Sequence, residues 1–418
     1  MQDGTALLAA LRARGLLYQH SDGLAAHLSR GPISAYCGFD PTASSLHVGN
    51  LVPAMGLLRL ADAGHRVIAL VGGGTAMVGD PSGKSTERPL LSDKDVEANA
   101  QAIAAQLSRV LGTRVEHMNN ALWLGPLGAI EFLRDVGKHF PVNQMLAKDS
   151  VKSRLDAGIS YTEFSYMLFQ AYDYLQLFQR HNVTLQIGGS DQWGNLTAGM
   201  ELIRRSAGGE AHALTYPLVT SASGKKFGKT EGGAVWLDPA RTSPYAFYQF
   251  WINTEDADVG RYLRTFTILA DSEIEAIETQ HASAPQERLA QRTLAHDVTS
   301  RVHSAADANR ARAASEIVFN KKVDAREIAD DLYTMLATDV PHVRRAATEL
   351  GVAEVLESAF GVSRSAARKL VQQGGVTVNG AKLSAETTAL SAEDSVRGKW
   401  FLVRKGARDI AIVEVVNA

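Results

Sequence analysis

The fold class of the chain is set by residues 32–72, which read PISAYCGFDPTASSLHVGNLVPAMGLLRLADAGHRVIALVG. Residues 32–39 and 66–72 are two short runs of apolar and small side chains, which is typical of buried strands. Between them, residues 48–63 are apolar over a helical length and are followed by Gly64, a common helix stop. This order of strand, helix and strand predicts a βαβ unit with two parallel strands in one sheet.

The same alternation continues along the first half of the chain. Residues 183–189 (VTLQIGG) predict a strand, 196–205 a helix, and 213–220 a further strand. A glycine- and lysine-containing loop follows at 221–233. We therefore predict an α/β fold, with a Rossmann-like parallel-sheet catalytic domain over residues 1–232.

The predicted secondary structure changes twice in the second half of the chain. Residues from 244 to about 320 are almost wholly helical in pattern, which predicts an α-helical domain over 233–320. The mixed, charged residues 321–350 predict a linker that is itself a connecting helical stretch. After residue 351 a short apolar helix precedes Ser363, a plausible N-cap, and a basic helix that Gly374-Gly375 ends. Asn379-Gly380 then predicts a hairpin, so 351–418 is expected to be a small α+β domain.

Composition excludes several classes of protein. The chain has 418 residues, 45% of them hydrophobic and 21% charged, which is an ordinary globular composition for two or three domains. Because the chain has a single cysteine, Cys37, it can form neither a disulfide framework nor a cysteine-based zinc finger. The sequence also contains no H-E-x-x-H motif that would indicate a zinc site. A secretory signal and a membrane span are both absent from the pattern, so we predict a cytoplasmic protein with no membrane partner.

Two common nucleotide-binding loops can be excluded from their spacing. Gly79 and Gly83 are separated by three residues, whereas a P-loop needs four between its glycines. A dinucleotide-binding fingerprint starting at Gly72 would need its third glycine at position 77, which is Met77.

Two other loops remain as candidates for phosphate binding. The first places His47 at the start of the predicted helix 48–63, where unpaired amides and the helix dipole favour an anion, and Thr42 could add a donor. Taken alone, His47 could instead cap the helix or pack locally. The second loop, Lys226-Phe227-Gly228-Lys229-Thr230, taken alone is typical of a solvated charged loop.

Together, however, the two loops resemble the paired motifs of class I aminoacyl-tRNA synthetases, usually written HIGH and KMSKS. Asn50 replaces the last histidine of the first motif, and the second motif differs at its Met and both Ser positions. Four stretches narrow the resemblance to bacterial tyrosyl-tRNA synthetases, and it runs from about residue 36 to the end of the chain. These stretches are YCGFDPT (36–42), VGDPSGK (78–84), YTEFSY (161–166) and QIGGSDQWGN (186–195).

The resemblance implies a tyrosine–tRNA ligase. Such an enzyme activates L-tyrosine with ATP to tyrosyl-adenylate, releases pyrophosphate, and transfers tyrosine to the terminal adenosine of tRNA(Tyr). The resemblance places Tyr36 and Asp173 at the phenol hydroxyl of the substrate. It places Asp80, Tyr166 and Gln170 at the ammonium group, and Gln192 against the tyrosyl group.

The spacing of these side chains is informative by itself. Tyr166, Gln170 and Asp173 recur at i, i+4 and i+7 on a predicted helix from about 162 to 178. They could line a pocket or face solvent. On another face, Phe164, Leu168, Ala171 and Leu175 form an apolar stripe.

For catalysis, the resemblance implies phosphate contacts from Thr42, His47, Lys84, Arg88, Lys226 and Lys229. For ATP binding it implies, besides His47, Lys226 and Lys229, the residues Cys37, Asp40, Gly49, Asn50, Asp191, Phe227, Gly228 and Thr230. Cys37 could also be only a buried structural cysteine. The carboxylate of the substrate is already ionised, so no general base is needed. Mg²⁺ is expected to accompany ATP, with no resident metal site and no tightly bound cofactor.

The resemblance also suggests macromolecular partners. Residues 233–320 would bind the anticodon, and 351–418 resemble an S4-type RNA-binding domain with Arg364, Arg368 and Lys369 on its basic helix. A charged helix is often only a solvated face, but residues 351–418 hold nine basic and seven acidic side chains, against 34 and 38 in residues 1–350. Residues 132–145, inside an insertion around 120–155, resemble the interface of a homodimer.

Two rival interpretations remain. A tryptophanyl-tRNA synthetase shares the fold, but Tyr36 and Asp173 suit a phenol. A nonenzymatic RNA-binding protein on a synthetase scaffold would not need His47, Lys226 and Lys229.

Overall fold

A computed structural model describes residues 3–82, 91–152, 154–156, 158–222, 227–230, 233–319, 324–406 and 409–416. The α-helices are α1 (Gly4–Ala13), α2 (Leu24–Ser29), α3 (Leu51–Asp62), α4 (Asp93–Leu111), α5 (Ala121–Leu124), α6 (Ala129–Asp135), α7 (Val142–Leu146), α8 (Asp149–Lys152), α9 (Tyr161–His181), α10 (Trp193–Ala207), α11 (Pro244–Ile252), α12 (Asp256–Phe266), α13 (Asp271–Ser283), α14 (Leu289–Val302), α15 (Ala305–Phe319), α16 (Asp330–Asp339), α17 (Val352–Phe360) and α18 (Arg364–Gln372). The strands are β1 (Gln19–His20), β2 (Ser34–Phe39), β3 (Arg66–Val71), β4 (Glu116–Asn119), β5 (Val183–Gly189), β6 (His212–Tyr216), β7 (Lys229–Thr230), β8 (Gly233–Ala234), β9 (His342–Ala346), β10 (Val376–Val378), β11 (Ala381–Lys382), β12 (Trp400–Lys405) and β13 (Asp409–Val416).

The first of two compact units, Met1–Asp238 with Thr254–Leu294, is built on a six-stranded sheet in the order β1-β6-β5-β2-β3-β4. The strands β2 to β6 run parallel, and only the short edge strand β1 is antiparallel. The predicted βαβ unit is confirmed as β2, α3 and β3. Because β2 pairs with β3 on one side and with β5 on the other, the direction of winding changes there, and ligands of such sheets bind outside the carboxyl ends of the strands at that point.

The core of this unit explains why the strands read as apolar runs. Residues 67–71 of β3 are all buried, as expected for a parallel strand covered on both faces. The predicted apolar stripe of α9 also packs inward: Leu168, Ala171 and Leu175 are buried, and Phe164 packs against the same cluster. This packing fixes the rotation of α9 and therefore the direction of its polar side chains.

The second unit, Pro239–Asn253 with Ala295–Ala418, contains a five-stranded sheet in the order β11-β10-β12-β13-β9. The predicted hairpin is confirmed, since β10 and β11 pair antiparallel around Asn379 and Gly380, which have φ values of 48° and 85°. Ser363 caps α18 as predicted, accepting a hydrogen bond from the Ala366 amide.

The two compact units do not coincide with the domain bounds expected from the sequence. Residues 254–294 lie in the first unit, and the expected helical linker 321–350 contains the helix α16 and also the edge strand β9. The strand β9 pairs with β13 in the parallel direction. Its single buried apolar residue, Val343, gave too weak a pattern for a strand prediction. No helix in the described part of the chain is long and apolar enough to cross a membrane.

Candidate active site

The first motif is held together by reciprocal hydrogen bonds at the start of α3. The His47 amide donates to Asn50 Oδ1 at 3.0 Å, and the Gly49 amide donates to His47 Nδ1 at 3.0 Å. A neutral ring with Nδ1 as acceptor carries its proton on Nε2. The side chain of His47 is exposed, and Asn50 is its structural partner.

The loop of the second motif lies against the first. The Val48 amide donates to the Val235 carbonyl at 3.0 Å, and the Val235 amide donates to the Gly228 carbonyl at 3.0 Å. Gly228 has a φ of 76°, and Phe227 stacks on Phe266 with ring centroids 5.3 Å apart. The structure therefore brings together the described parts of both motifs.

Several predicted phosphate-binding residues fall outside this description. Lys84, Arg88 and Lys226 lie outside the described residues. The backbone of Lys229 pairs with Ala234, and that of Thr230 pairs with Gly233, in the small β7–β8 hairpin.

A buried carboxylate and a buried phenol interact electrostatically in the first unit. Asp173, on α9, is 3% exposed, and Tyr36, on β2, is 1% exposed. The hydroxyl of Tyr36 has no hydrogen-bond partner among the described residues. Burial, followed by the nearby Asp173 carboxylate, raises the pKa of Tyr36 well above its usual value, so this hydroxyl keeps its proton.

Burial and hydrogen bonding shift the pKa of Asp173 in opposite directions. Burial raises its pKa to about 7, against hydrogen bonds that favour the ionised form. Asn120 Nδ2 donates to Oδ2 of Asp173 at 2.9 Å, and Trp123 Nε1 donates to Oδ1 at 2.7 Å. Neither Asn120 nor Trp123 was predicted from the sequence. The signal for Asn120 was its position directly after β4, at the carboxyl edge of the sheet.

The predicted ammonium-binding residues also lie in hydrogen-bonded pairs. Gln192 Nε2 donates to Asp80 Oδ2 at 2.7 Å, and Asn195 Nδ2 donates to Gln170 Oε1 at 3.1 Å. Asn195 was not predicted either, although it ends the QIGGSDQWGN stretch.

Tyr166 makes a contact with the first motif's own loop. Its hydroxyl donates to Asp40 Oδ2 at 2.7 Å, and Thr75 Oγ1 donates to the other oxygen of Asp40 at 2.8 Å. Tyr166 is therefore fixed in place by the residue that directly follows β2.

The remaining predicted nucleotide contacts differ in accessibility. Burial raises the pKa of Cys37 to about 12, so its thiol is neutral. The side chain of Thr42 is half-buried, and Asp191 is exposed just after the carboxyl end of β5. A Cβ atom added to Gly38 would have no atom within 4 Å, so there is open space beside β2 near its carboxyl end.

On the second unit, the predicted RNA-binding side chains lie on α18 and are exposed. Arg364 is already paired, with Nε donating to Glu357 Oε2 at 3.0 Å and NH1 lying 3.4 Å from Glu354 Oε1. Arg368 and Lys369 share this helix and form no ion pair with another described residue.

This fold and site define a nucleotide-dependent enzyme of the class I synthetase type, and comparison with known families agrees. Residues 28–320 match the family model for tRNA synthetases class I (W and Y), and residues 332–413 match the model for the tyrosine–tRNA ligase SYY-like C-terminal domain. The chain belongs to the class I tRNA synthetase family that contains the tryptophan and tyrosine enzymes.

Within that family, relatives that match over nearly their full length include tyrosine–tRNA ligases. One from Anaeromyxobacter dehalogenans is 50% identical over 98% of this chain and 99% of its own length. One from Geobacillus stearothermophilus is 48% identical over 97% of this chain and 99% of its own length. The resemblance to bacterial tyrosyl-tRNA synthetases, and with it the prediction of a tyrosine–tRNA ligase, is confirmed.

Solved structures give the same result. A C-terminally truncated mitochondrial tyrosyl-tRNA synthetase of Aspergillus nidulans is 30% identical, with a TM-score of 0.69 over 75% of this chain and 94% of that one. A tryptophanyl-tRNA synthetase of Giardia lamblia has a TM-score of 0.54 at 16% identity over 80% of this chain and 90% of that one, which shows a shared fold alone.

Proposed function

We propose that the chain activates L-tyrosine with ATP to tyrosyl-adenylate, releasing pyrophosphate, and then transfers the tyrosyl group to the terminal adenosine of tRNA(Tyr). The observation that carries this proposal is the buried pair of Tyr36 and Asp173 at the winding change of the sheet. A phenol hydroxyl bound there can donate to the Asp173 carboxylate and accept from the Tyr36 hydroxyl.

This pairing gives selection against phenylalanine. Phenylalanine would leave the Tyr36 hydroxyl without a partner and would offer Asp173 no donor besides Asn120 and Trp123, a cost in free energy that tyrosine avoids. Tyrosyl-tRNA synthetases are themselves the standard example of this kind of discrimination, in which a site built for a hydroxyl rejects the analogue that lacks it.

The other end of the substrate lies beside polar side chains. Asp80, Tyr166 and Gln170 are the proposed ammonium ligands, with Gln192 beside them. Their mutual hydrogen bonds fix their orientation, so little ordering is needed when tyrosine binds.

The activation step needs alignment rather than proton transfer. The substrate carboxylate oxygen attacks the α-phosphorus of ATP, a P–O bond forms to that oxygen, and the bond to the bridging oxygen of the pyrophosphate breaks. The charge that develops on pyrophosphate is stabilised by donors placed in advance. We assign this role to Thr42, His47, Lys84, Arg88, Lys226 and Lys229.

The nucleotide is proposed to lie over the open sheet edge between β2 and β5. Its contacts would come from Cys37, Asp40, Gly49, Asn50, Asp191, Phe227, Gly228 and Thr230. The oxygen of Asn50 already accepts from His47, so its amide hydrogens are the atoms left for the nucleotide. Mg²⁺ would arrive on the phosphates of ATP; the described residues contain no group of three or more acidic, His or Cys side chains that could hold a metal ion.

The tRNA would be held by local basic surfaces. Arg368 and Lys369 are the proposed phosphate contacts of the S4-like region, and Arg364 contributes less because two glutamates already pair with it. The anticodon is assigned to the helical residues within 233–320. The compartment we propose is the cytoplasm.

We propose a homodimer formed through residues 120–155. This segment exposes large apolar side chains whose exposed fractions are 76% for Leu122, 83% for Ile130, 51% for Leu133 and 61% for Val142. Several exposed large apolar side chains within one segment are typical of a protein interface.

The activity is tested by tyrosine-dependent exchange of labelled pyrophosphate into ATP. We expect exchange with tyrosine and far less with phenylalanine or tryptophan. Exchange that depends on tryptophan, or no exchange in protein that binds ATP, would contradict the proposal.

A further inference from the structure

The helix α12 holds the chain just before the second motif through a buried carboxylate. Asp258, in the first turn of α12, is 2% exposed. Its Oδ2 accepts from the Ala222 amide at 2.9 Å. The helix dipole favours a carboxylate in the first turn, and the bond from the amide satisfies one of the oxygens that burial removes from water. The backbone at position 222 is therefore attached to α12.

A second side chain of the same helix holds the chain two residues earlier. Nη2 of Arg261 donates to the Thr220 carbonyl at 2.5 Å and to Asp258 Oδ1 at 2.5 Å. The guanidinium group thus bridges the backbone carbonyl and the buried carboxylate, and its charge compensates that of the carboxylate. It also lies over the Tyr262 ring, 5.1 Å from the ring centroid.

The second motif itself packs on α12 through Phe227. The Phe227 ring lies edge-on to Tyr262, with centroids 5.2 Å apart, and is stacked on Phe266 at 5.3 Å. Tyr262 and Phe266 are both buried. Residues 220, 222 and 227 are thus all in contact with one helix.

The helix α12 is in turn attached to other helices of the first unit. Thr265 Oγ1 donates to the Arg14 carbonyl at 3.3 Å, and Arg59 donates to the Thr267 carbonyl. Arg59 lies on α3, the helix that directly follows the first motif. One helix therefore links the body of the first motif to the chain that leads into the second.

We propose that Asp258 and Arg261 are positioning residues for the activation of tyrosine, which fix the backbone that leads into the second motif. The inference rests on the proposed function, in which Lys226 and Lys229 stabilise the charge on pyrophosphate. These lysines are the sequence neighbours of Phe227-Gly228. Asp258 and Arg261 act through them and have no proposed contact with the reacting atoms.

The physical reason is that charge develops on pyrophosphate only during the reaction. Donors stabilise it when they are placed in advance, and a displacement of about 1 Å can cost about 100-fold in rate. Without Arg261 the buried Asp258 loses its charge partner and the Thr220 carbonyl loses its donor, so the observed backbone position becomes less favourable. Activation should suffer. Transfer of the tyrosyl group to tRNA involves no pyrophosphate and should not.

The test uses the full-length protein and the variant Arg261→Met, which keeps an unbranched stem but removes both hydrogen bonds. Single-turnover formation of tyrosyl-adenylate should slow about 10- to 100-fold. The tyrosine dissociation constant, measured by equilibrium dialysis, should stay unchanged. Transfer from preformed, enzyme-bound tyrosyl-adenylate to saturating tRNA should proceed at the wild-type rate. A general loss of structure would change all three quantities.

Asp258→Asn is the second variant. It keeps the volume of the side chain and an oxygen that can accept from the Ala222 amide, but it removes the negative charge that pairs with Arg261. We expect the same pattern with a smaller loss in activation. This variant decides the question if Arg261→Met does not fold.

Arg66→Met is the matched control, because Arg66 also bridges a carboxylate and a backbone carbonyl. It donates to both oxygens of Glu116 at 2.7 Å and to the His181 carbonyl at 2.9 Å. Arg66 is the first residue of β3, so this bridge lies at the amino end of the strand, away from the motifs. The control should leave all three quantities unchanged.

Three results would overturn the inference. The first is adenylate formation at the wild-type rate in Arg261→Met, or in Asp258→Asn where only that variant folds. The others are equal losses in activation and transfer, and an equal loss of activation in Arg66→Met. A wild-type protein without tyrosine-dependent pyrophosphate exchange would instead overturn the proposed function, and this inference with it.

Discussion

Gly228 of the second motif lies directly against Val48 of the first: a Cβ built on Gly228 would be 2.8 Å from Val48 Cγ2. The glycine is required twice, because its φ of 76° is also unfavourable for other residues. The two motifs, distant in sequence, are thus fitted to each other at this one backbone position.

Gly228→Ala should therefore displace Val48 and its neighbour His47. We expect pyrophosphate exchange to fall by about 10- to 100-fold, since small misplacements of aligned groups are costly. Gly233→Ala is the control: its φ is 106°, yet its substituent would meet no atom within 4 Å. Both variants carry backbone strain of about 1–2 kcal/mol, so equal losses of activity would show that strain alone is responsible.

His47→Ala should lower the rate of adenylate formation by about 10²- to 10³-fold, by analogy with the loss of one oxyanion donor. Tyrosine binding should remain nearly intact, because His47 lies at the phosphate end of the proposed site. Single-turnover kinetics and equilibrium dialysis measure the two quantities separately. Exchange at the wild-type rate would remove His47 from the mechanism.

Tyr36→Phe should weaken tyrosine binding and stabilise the ligand-free protein. The hydroxyl is buried without a partner among the described residues, so its removal should raise the free energy of unfolding by about 1 kcal/mol in the ligand-free protein. Tyrosine affinity should fall about tenfold. Tyr174→Phe is the opposite case, because that hydroxyl donates to the His212 carbonyl at 2.7 Å and its loss should destabilise. Denaturant unfolding of both variants checks the signs.

Arg368→Ala combined with Lys369→Ala should weaken tRNA binding and reduce its dependence on salt, by about one unit of log–log slope for each phosphate that is no longer neutralised. Pyrophosphate exchange needs no tRNA and should not change. Arg364→Ala, whose side chain is paired with Glu354 and Glu357, should have a smaller effect. An unchanged KM for tRNA in the double variant would remove α18 from the contact surface.

His27 and His212 should make the fold sensitive to acid. Their rings lie 4.5 Å apart between centroids. Burial, followed by Arg30 for His27 and by His27 for His212, lowers both pKa values. Folding therefore favours the neutral rings: the stabilisation is present above the unfolded value of about 6.5 and is lost as pH falls below it.

The variant His27→Gln tests this expectation, because an amide can still meet Thr184 Oγ1, the present partner of His27 Nε2 at 2.8 Å. Melting temperatures measured from about pH 7.5 down to 5 should fall less steeply in the variant. Parallel curves for the two proteins would contradict the assignment.

Local pattern was enough to determine much of this protein. The apolar runs at 32–39 and 66–72 became β2 and β3, and the stripe that contains Leu168 and Ala171 determined which face of α9 packs inward. The spacing of apolar residues reflects which side chains are buried, so these elements could be predicted from the sequence. The position of His47 at the start of α3 followed from the predicted helix.

Tertiary structure alone decided the contacts between distant segments. Asn120 and Trp123 contact Asp173 although they precede it by about fifty residues in the sequence. Gly228 lies against Val48 across an even longer stretch of sequence. The strand β9 belongs to the second sheet but has one buried apolar residue, Val343. A single apolar residue gives no periodic pattern from which a strand could be predicted. The sequence by itself determined the elements that have a strong apolar pattern and the candidate residues of the site. The hydrogen bonds that Asn120 and Trp123 donate to the buried Asp173 carboxylate depend on how those elements pack, and no local pattern predicts them.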